Sequence, residues 1–250
     1  MFGKMNFMID IHTHILPMTD DGPTTVQESL EMCRIAVNDG INKMVATPHI
    51  QGGMYEVDAN DVLEKINILN QLLKQEGLDL MIFQGAEVHL NDQFLGTEIL
   101  KESSILTING GKKYILLEFP FHWVPPETEQ VIFQLKSMGL TPILPHLERN
   151  NRIQGHPRSL IRFVELGAVL QVTAQSIMGD FGNAPKKCVM WMLKNSLVHV
   201  IASDAHSPIG RPPILSKAAK VVSDLMGEES ANKMVIEHPK IILEGEPLVI

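Results

Sequence analysis

Phe7-Met8-Ile9-Asp10-Ile11-His12-Thr13-His14 couples a short apolar block, residues 7–11, to two histidines spaced two apart. Side chains alternate along an extended strand, so His12 and His14 project together beyond that block. The pattern recurs. Ala46-Thr47-Pro48-His49 follows the block 43–47, and Gly85-Ala86-Glu87-Val88-His89 follows 81–86. Leu117-Glu118-Phe119-Pro120 follows 114–118, Leu144-Pro145-His146-Leu147-Glu148-Arg149 follows 141–144, and Ser203-Asp204-Ala205-His206 follows 198–203. Only the block 168–172, running into Gln171-Val172-Thr173-Ala174-Gln175, has no ionisable group at its end.

Helix-period stretches separate these blocks: residues 24–38, 59–75, 127–137, 159–165, 185–194 and 215–225. The first begins Thr24-Thr25 with Gln27-Glu28 close behind, a capping-box type of start, and stops at Asp39-Gly40. Gly77, Gly139 and Gly167 punctuate later helix ends, and residues 107–113 read as a Gly-Gly turn. Residues 228–250 read as a last short helix and an extended end. Periodicity alone permits either a βα barrel or an open doubly wound sheet. Only in a barrel do all C-terminal strand ends converge on one mouth, which would collect every one of these polar groups. The expected fold is therefore α/β: a distorted seven-stranded (β/α) barrel with a metal site at the C-terminal strand ends. No linker, repeat or low-complexity tract divides the chain, so residues 1–250 read as one domain.

Lys and Arg total 21 against 29 Asp and Glu, a formal net charge of −8. That balance argues against broad binding to nucleic acid or to an anionic membrane surface. Apolar runs such as 114–121 are too short to span a bilayer, and the N-terminus lacks a signal-peptide h-region. Cys33 and Cys188 show no disulfide framework, which fits a reducing compartment and a cytoplasmic location. Neither cysteine has an arginine six positions on (Asp39 and Lys194 stand there), so cysteine-phosphatase chemistry is excluded. No Gly-x-Ser-x-Gly elbow or Walker-type loop is present.

Imidazoles and carboxylates together suit borderline divalent ions such as Mn²⁺, Zn²⁺ or Fe²⁺. The histidines and carboxylates at these strand ends exceed one ion's needs, so two or three ions are expected. His122, His156, His199 and His238 read as surface or supporting residues. His89 has no assignment, and Asp10 either orients a ligand imidazole or caps a neighbouring loop. Arg149 and Arg211 lie in loops that bear ligands; they are either plain surface arginines or forks for a phosphoryl group. Leu16-Pro17-Met18, Met54-Tyr55 and Phe121-His122-Trp123 either pack their loops onto the barrel or flank a substrate ring.

The motifs Asp10-Ile11-His12-Thr13-His14-Ile15-Leu16-Pro17, Asp20-Asp21-Gly22, Ala46-Thr47-Pro48-His49, Gly85-Ala86-Glu87, Leu116-Leu117-Glu118-Phe119-Pro120, Pro142-Ile143-Leu144-Pro145-His146-Leu147-Glu148-Arg149 and Ala202-Ser203-Asp204-Ala205-His206-Ser207 resemble the PHP (polymerase and histidinol phosphatase) family. The resemblance covers nearly the whole chain. It is closest to the bacterial capsule-locus protein-tyrosine phosphatases of the CpsB/YwqE type. Gly179-Asp180-Phe181-Gly182 resembles a mouth loop of the same branch, as does Glu118 where other branches carry histidine. The resemblance implies three metals, Mn²⁺ foremost with Fe or Zn as alternatives. His12, His14, Glu87 and Asp204 would hold the first; Glu87, Glu118 and His146 the second; Asp21, His49 and His206 the third. Asp20, next to Asp21, could take its place. Arg149 and Arg211 would be the catalytic arginines.

The implied activity is hydrolysis of phosphotyrosine in a protein, the implied partner being the tyrosine-rich C-terminal tail of a bacterial tyrosine kinase that controls exopolysaccharide export. A small-molecule phosphatase acting on histidinol phosphate, an amidohydrolase-type barrel and a non-catalytic binding module are the competing readings. The amidohydrolase class bridges its metals with a modified lysine where this chain has Glu118.

Overall fold

Among the described residues, every apolar block but the third is followed by an amphipathic helix that carries the chain back over the sheet, and such connections make neighbouring strands parallel. A computed structural model describes residues 7–90, 107–111 and 113–249. The N-terminal reading at residues 1–6, Lys112 of the Gly-Gly turn, and Ile250 lie outside the described residues.

The strands are β1 Met8–Thr13, β2 Ile41–Ala46, β3 His49–Ile50, β4 Met81–Gln84, β5 Glu87–His89, β6 Tyr114–Glu118, β7 Thr141–Pro145, β8 Val169–Thr173 and β9 Val200–Ala202. They form two parallel sheets, β1-β2-β4 and β3-β5-β6-β7-β8-β9. The seven expected blocks thus appear as nine strands, because the second and third are each interrupted. Pro48 cannot donate to a ladder, and the second block resumes as β3 beyond it. Gly85 interrupts the third: a Cβ there would stand 2.7 Å from Val45 Cγ1, so the Val45 side chain packs against the Gly85 backbone in space that a side chain at 85 would need. Pairing passes to the larger sheet at these breaks, with His49 opposite Glu87 and Ile50 opposite Val88. The free edges of β1 and β9 also meet. Asp204 N–H donates to His12 O at 3.0 Å, and His14 N–H donates to Ala205 O at 2.8 Å.

Helices cover the sheets. They are α1 Val26–Asp39, α2 Ala59–Gln75, α3 Thr128–Ser137, α4 Asn151–Gly155, α5 Ser159–Glu165, α6 Ala174–Met178, α7 Asn183–Lys194 and α8 Ser216–Met226. At the start of α1, Thr25 Oγ1 accepts from Glu28 N–H, and the Glu28 carboxylate accepts from the N–H and hydroxyl of Thr24. Gly40, at φ 93°, ends that helix. Residues 228–244 hold more helix than expected: α9 Glu228–Asn232, a π-helical turn Lys233–Glu237 and α10 His238–Glu244. No helix among the described residues is long and apolar enough to cross a membrane.

Alternation divides the buried apolar residues into two clusters. One lies between sheets and helices and includes Met8, Met44, Leu117, Leu144 and Leu170. The other joins Ile9, Ile11, Val45, Tyr114, Leu116, Ile143, Val169 and Val200, with Ile242 and Leu243 of α10. The Tyr114 hydroxyl donates to Glu246 O at 2.6 Å and accepts from Leu248 N–H at 2.9 Å, which fixes the C-terminal segment beside this inner cluster.

His199 is not the surface or supporting histidine expected. It is buried, and its Nδ1 accepts from Leu170 N–H at 2.9 Å. Burial lowers its pKa from 6.5 to about 4. The unfolded chain therefore binds more protons between these values. Stability is full above pH 6.5 and falls by up to about 3 kcal/mol as pH drops towards 4. Denaturant midpoints across that window, in chelator, are expected to slope less in His199→Asn, whose side-chain oxygen can accept the same bond. An unchanged slope would rule His199 out as the source.

Candidate metal centre

The strand ends bring every expected ligand into one cluster. His12 and His14 place their Nε2 atoms 3.2 Å apart. Both face Glu87 Oε2, at 3.2 and 3.3 Å, and Asp204 Oδ1, at 3.5 and 3.6 Å. His146 Nε2 lies 2.8 Å from Glu87 Oε1 and 3.8 Å from Glu118 Oε1. His49 Nδ1 lies 3.2 Å from Glu87 Oε2 and 3.6 Å from Glu118 Oε2. Its Nε2 is 3.5 Å from Asp21 Oδ1, which His206 Nε2 approaches to 3.3 Å.

Among the described residues, three sets of potential ligand atoms lie within 4.8 Å of one another: His12, His14 and Glu87; His49, Glu87 and Glu118; and His14, Asp21, His49 and His206. These sets differ from the partition implied by the resemblance. His14 and His49 each stand in two sets, because each imidazole lies between two carboxylates.

The electrostatics of the cluster call for cations. Burial, and then the neighbouring Glu118, push the Glu87 carboxyl up. Burial raises Asp204 too, but His12 and Arg211 outweigh it and hold that carboxyl well below the usual range. Burial and the neighbours His206, His49 and His12 lower His14 well below an ordinary histidine. Metal-free, the cluster thus disfavours both a charged Glu87 and a charged His14. Divalent ions reverse both penalties, since they bind carboxylate and neutral imidazole. Glu87 Oε2 and His49 Nδ1 are buried without a hydrogen-bond partner, two lone-pair donors at the centre of the cluster. The residues therefore fit a group of divalent metals.

Asp204 has two working faces. Its Oδ1 looks at the imidazoles, while Oδ2 accepts from Arg149 Nη1 at 2.7 Å and Arg211 Nη2 at 2.5 Å. Both arginines thus stand at the edge of the cluster rather than out on the surface. Cys33 and Cys188 are buried elsewhere, and burial pushes each thiol up to about 12, so neither is a nucleophile.

The capsular polysaccharide synthesis family CpsB/CapC matches residues 8–244. This chain belongs to that family. It is 36% identical over 241 residues to the tyrosine-protein phosphatase YwqE of Bacillus subtilis (strain 168), covering 96% of this chain and 93% of that protein. It is 30% identical over 243 residues to the tyrosine-protein phosphatase CpsB of Streptococcus agalactiae, covering 95% and 99% respectively. A solved structure from a study of YwqE of Bacillus subtilis and CpsB of Streptococcus pneumoniae, described there as unique metal-dependent tyrosine phosphatases, superposes with a TM-score of 0.90 at 35% identity. It covers 97% of this chain and 96% of the other. A β-aspartyl dipeptidase of Fervidobacterium islandicum AW-1, 14% identical with a TM-score of 0.61, shares the fold over 96% of this chain and 74% of its own.

Against this CpsB/CapC background, several supporting residues emerge that the strand-end pattern did not show. Gln171 Oε1 accepts from His12 Nδ1 at 2.8 Å, which turns His12 Nε2 towards the cluster. The sixth block is therefore not empty of function. Its signal was a lone polar residue inside an otherwise apolar strand. Asp20 is not a substitute for Asp21: its Oδ2 accepts from His14 Nδ1 at 2.7 Å and from His49 N–H at 3.0 Å. Gly22 completes that turn, and a Cβ there would stand 2.5 Å from His14 O. Asp10 orients no imidazole. Its Oδ1 accepts from the backbone N–H of Ser203 at 3.1 Å and of His12 at 3.4 Å, tying β1 to β9. His89 lies at the site, Nδ1 3.3 Å from Glu118 Oε2. His146 and Asp204 take left-handed backbone, φ 39° and 52°, a strained state that re-aims both side chains at the strand ends.

Of the apolar groups expected around the mouth, Leu16 and Pro17 are buried, so they pack the loop. Tyr55 stacks on His49 with ring centroids 5.5 Å apart, and the 41% exposed Phe121 stacks on His146 at 5.9 Å. Replacing Gln171 with Leu is expected to weaken divalent-metal binding by about 10- to 100-fold while the fold survives. Titration of the chelator-stripped protein with Mn²⁺ checks this, and unchanged affinity would remove Gln171 from the site.

Proposed function

We propose that this chain is a metal-dependent phosphomonoesterase that hydrolyses phosphotyrosine in proteins. The observation that carries the reading is a buried imidazole–carboxylate cluster with two arginines bonded to one of its carboxylates, Asp204. Relatives similar over nearly their full length are named tyrosine-protein phosphatases, which favours this reading over a histidinol phosphatase, an amidohydrolase or a binding module.

His12, His14, Glu87, Asp204, Glu118, His146, Asp21, His49 and His206 would hold up to three divalent ions, Mn²⁺ foremost. Such ions, when bound, lower the pKa of water and neutralise phosphoryl oxygens. The chain's own residues do the rest. Gln171 and Asp20 fix the ring orientation of His12 and His14. Asp204 Oδ2 aims Arg149 and Arg211 at the cluster's edge, where their forks can bind phosphoryl oxygens as charge develops. Tyr55 and Phe121 offer ring faces to a phenyl group beside the cluster. A phenolate leaves with a pKa of about 10, so tyrosine phosphate needs less proton donation than serine phosphate.

On this reading the two sheets form one distorted seven-stranded barrel, with β2 and β3, and β4 and β5, each counted as one strand; the protein acts in the cytoplasm. Its substrate is the C-terminal tail of a bacterial tyrosine kinase.

The test compares catalytic efficiency on a phosphotyrosine peptide, a phosphoserine peptide and histidinol phosphate. Phosphotyrosine is expected to be preferred, activity to vanish in chelator, and Mn²⁺ to restore it better than Mg²⁺, which prefers all-oxygen shells. Full activity in excess chelator, or a clear preference for histidinol phosphate, would overturn the reading.

A further inference from the structure

Gly179-Asp180-Phe181-Gly182 leaves α6 and turns back into α7. Gly179, left-handed at φ 96°, and Gly182, extended at φ 94°, both hold positive φ that favours glycine, and Gly182 N–H donates to Gly179 O at 2.9 Å, so the loop is a tight turn with Phe181 between two glycines. The loop is tied to the segments that carry both arginines. Glu148 Oε1, next to Arg149, accepts from Thr173 N–H at 2.9 Å just before α6. Within α6, Gln175 Nε2 donates to Gly210 O at 2.7 Å, next to Arg211.

The Phe181 ring takes up the arginines themselves. Arg149 Cζ lies 4.6 Å from its centroid and Arg211 Cζ lies 6.0 Å from it. On another side Arg149 Cζ lies 4.9 Å from the centroid of Phe121, which reaches only that arginine among the described contacts. Two guanidinium groups that converge on one oxygen of Asp204 repel each other. An aromatic face attracts both, so it offsets that repulsion and removes rotamers that would swing either fork into water.

We propose that Phe181 is a positioning residue that holds Arg149 and Arg211 together as one phosphoryl clamp. It acts through the two guanidinium groups. The assignment rests on the phosphatase reading above.

The experiment measures kinetics on a phosphotyrosine peptide and the inhibition constant for inorganic phosphate in Mn²⁺-loaded wild type, Phe181→Ala, Phe181→Leu and Phe181→Tyr. It repeats the Phe181→Leu change in an Arg149→Ala/Arg211→Ala background. The Ala and Leu variants are expected to lose about tenfold in kcat/KM and to bind phosphate correspondingly more weakly, with metal content unchanged. Phe181→Tyr, which keeps the ring face, is expected to recover most of the loss. Without the arginines, Phe181→Leu is expected to cost less than about twofold.

Leucine fills the same space without a π face. A Leu variant as active as wild type, or a Leu penalty that persists without the arginines, would overturn the proposal and leave Phe181 a packing residue. Should the Ala variant fail to fold, the Leu and Tyr pair decides alone. A wild-type protein inactive on phosphotyrosine peptide would overturn the function proposed above and this assignment with it. An active wild type with an indifferent Leu variant overturns this assignment only.

Discussion

Glu87→Gln is expected to abolish turnover on phosphotyrosine peptide, by about 10³-fold or more, while leaving the metal-free protein at least as stable as wild type. The two signs follow from one position. Glu87 is fully buried and faces His12, His14, His49 and His146. It also stands near Glu118, and burial with that neighbour pushes its carboxyl up. In the absence of cations a neutral amide of the same shape relieves that penalty. With cations the amide would supply no charge to a position that stands in two of the candidate ligand sets. Thermal midpoints in chelator, metal content by elemental analysis and steady-state kinetics separate the two effects. His156→Ala, at an exposed position, is the control and should match wild type. Turnover within tenfold of wild type in Glu87→Gln would remove Glu87 from the centre of the site. His238 is a poorer control, because its Nδ1 donates to His199 O at 2.7 Å and its loss removes that tie between the C-terminal helix and the start of β9.

Arg149→Ala and Arg211→Ala are each expected to cost about 2–4 kcal/mol in kcat/KM with metal content intact. Their combination should cost less than the sum. Both guanidinium groups bond to the same oxygen of Asp204, so removing one already disturbs the other. A double-mutant cycle on phosphotyrosine peptide measures the coupling. Strict additivity would mean two independent phosphate contacts, and unchanged kinetics in both single variants would leave phosphate recognition to the metals.

How much of this was legible beforehand follows from the range of each signal. His12, His14, His49, Glu87, His146, Asp204 and His206 stand at or just past the ends of apolar blocks, and period-two alternation is a local property that a chain displays without its fold. The parallel arrangement of strands and helices was readable for the same reason. The interruptions at Thr47-Pro48 and Gly85-Ala86 were written in the chain as proline and glycine, but their consequence, nine strands for seven blocks, depends on Val45 pressing against Gly85.

Composition, the apolar blocks, the glycine-stopped helices and the residue types of the ligand set belong to the sequence itself, because each depends on neighbours a few positions away. The tertiary structure alone decided the partners. His12 meets Gln171, 159 positions on, and Arg149 meets Asp204, 55 positions on. Those pairs arise because strands and loops far apart in the chain end at one place. The left-handed backbone of His146 and Asp204 belongs with them: non-glycine residues hold such strained angles only where surrounding packing over-determines them, and that packing exists only in the folded molecule.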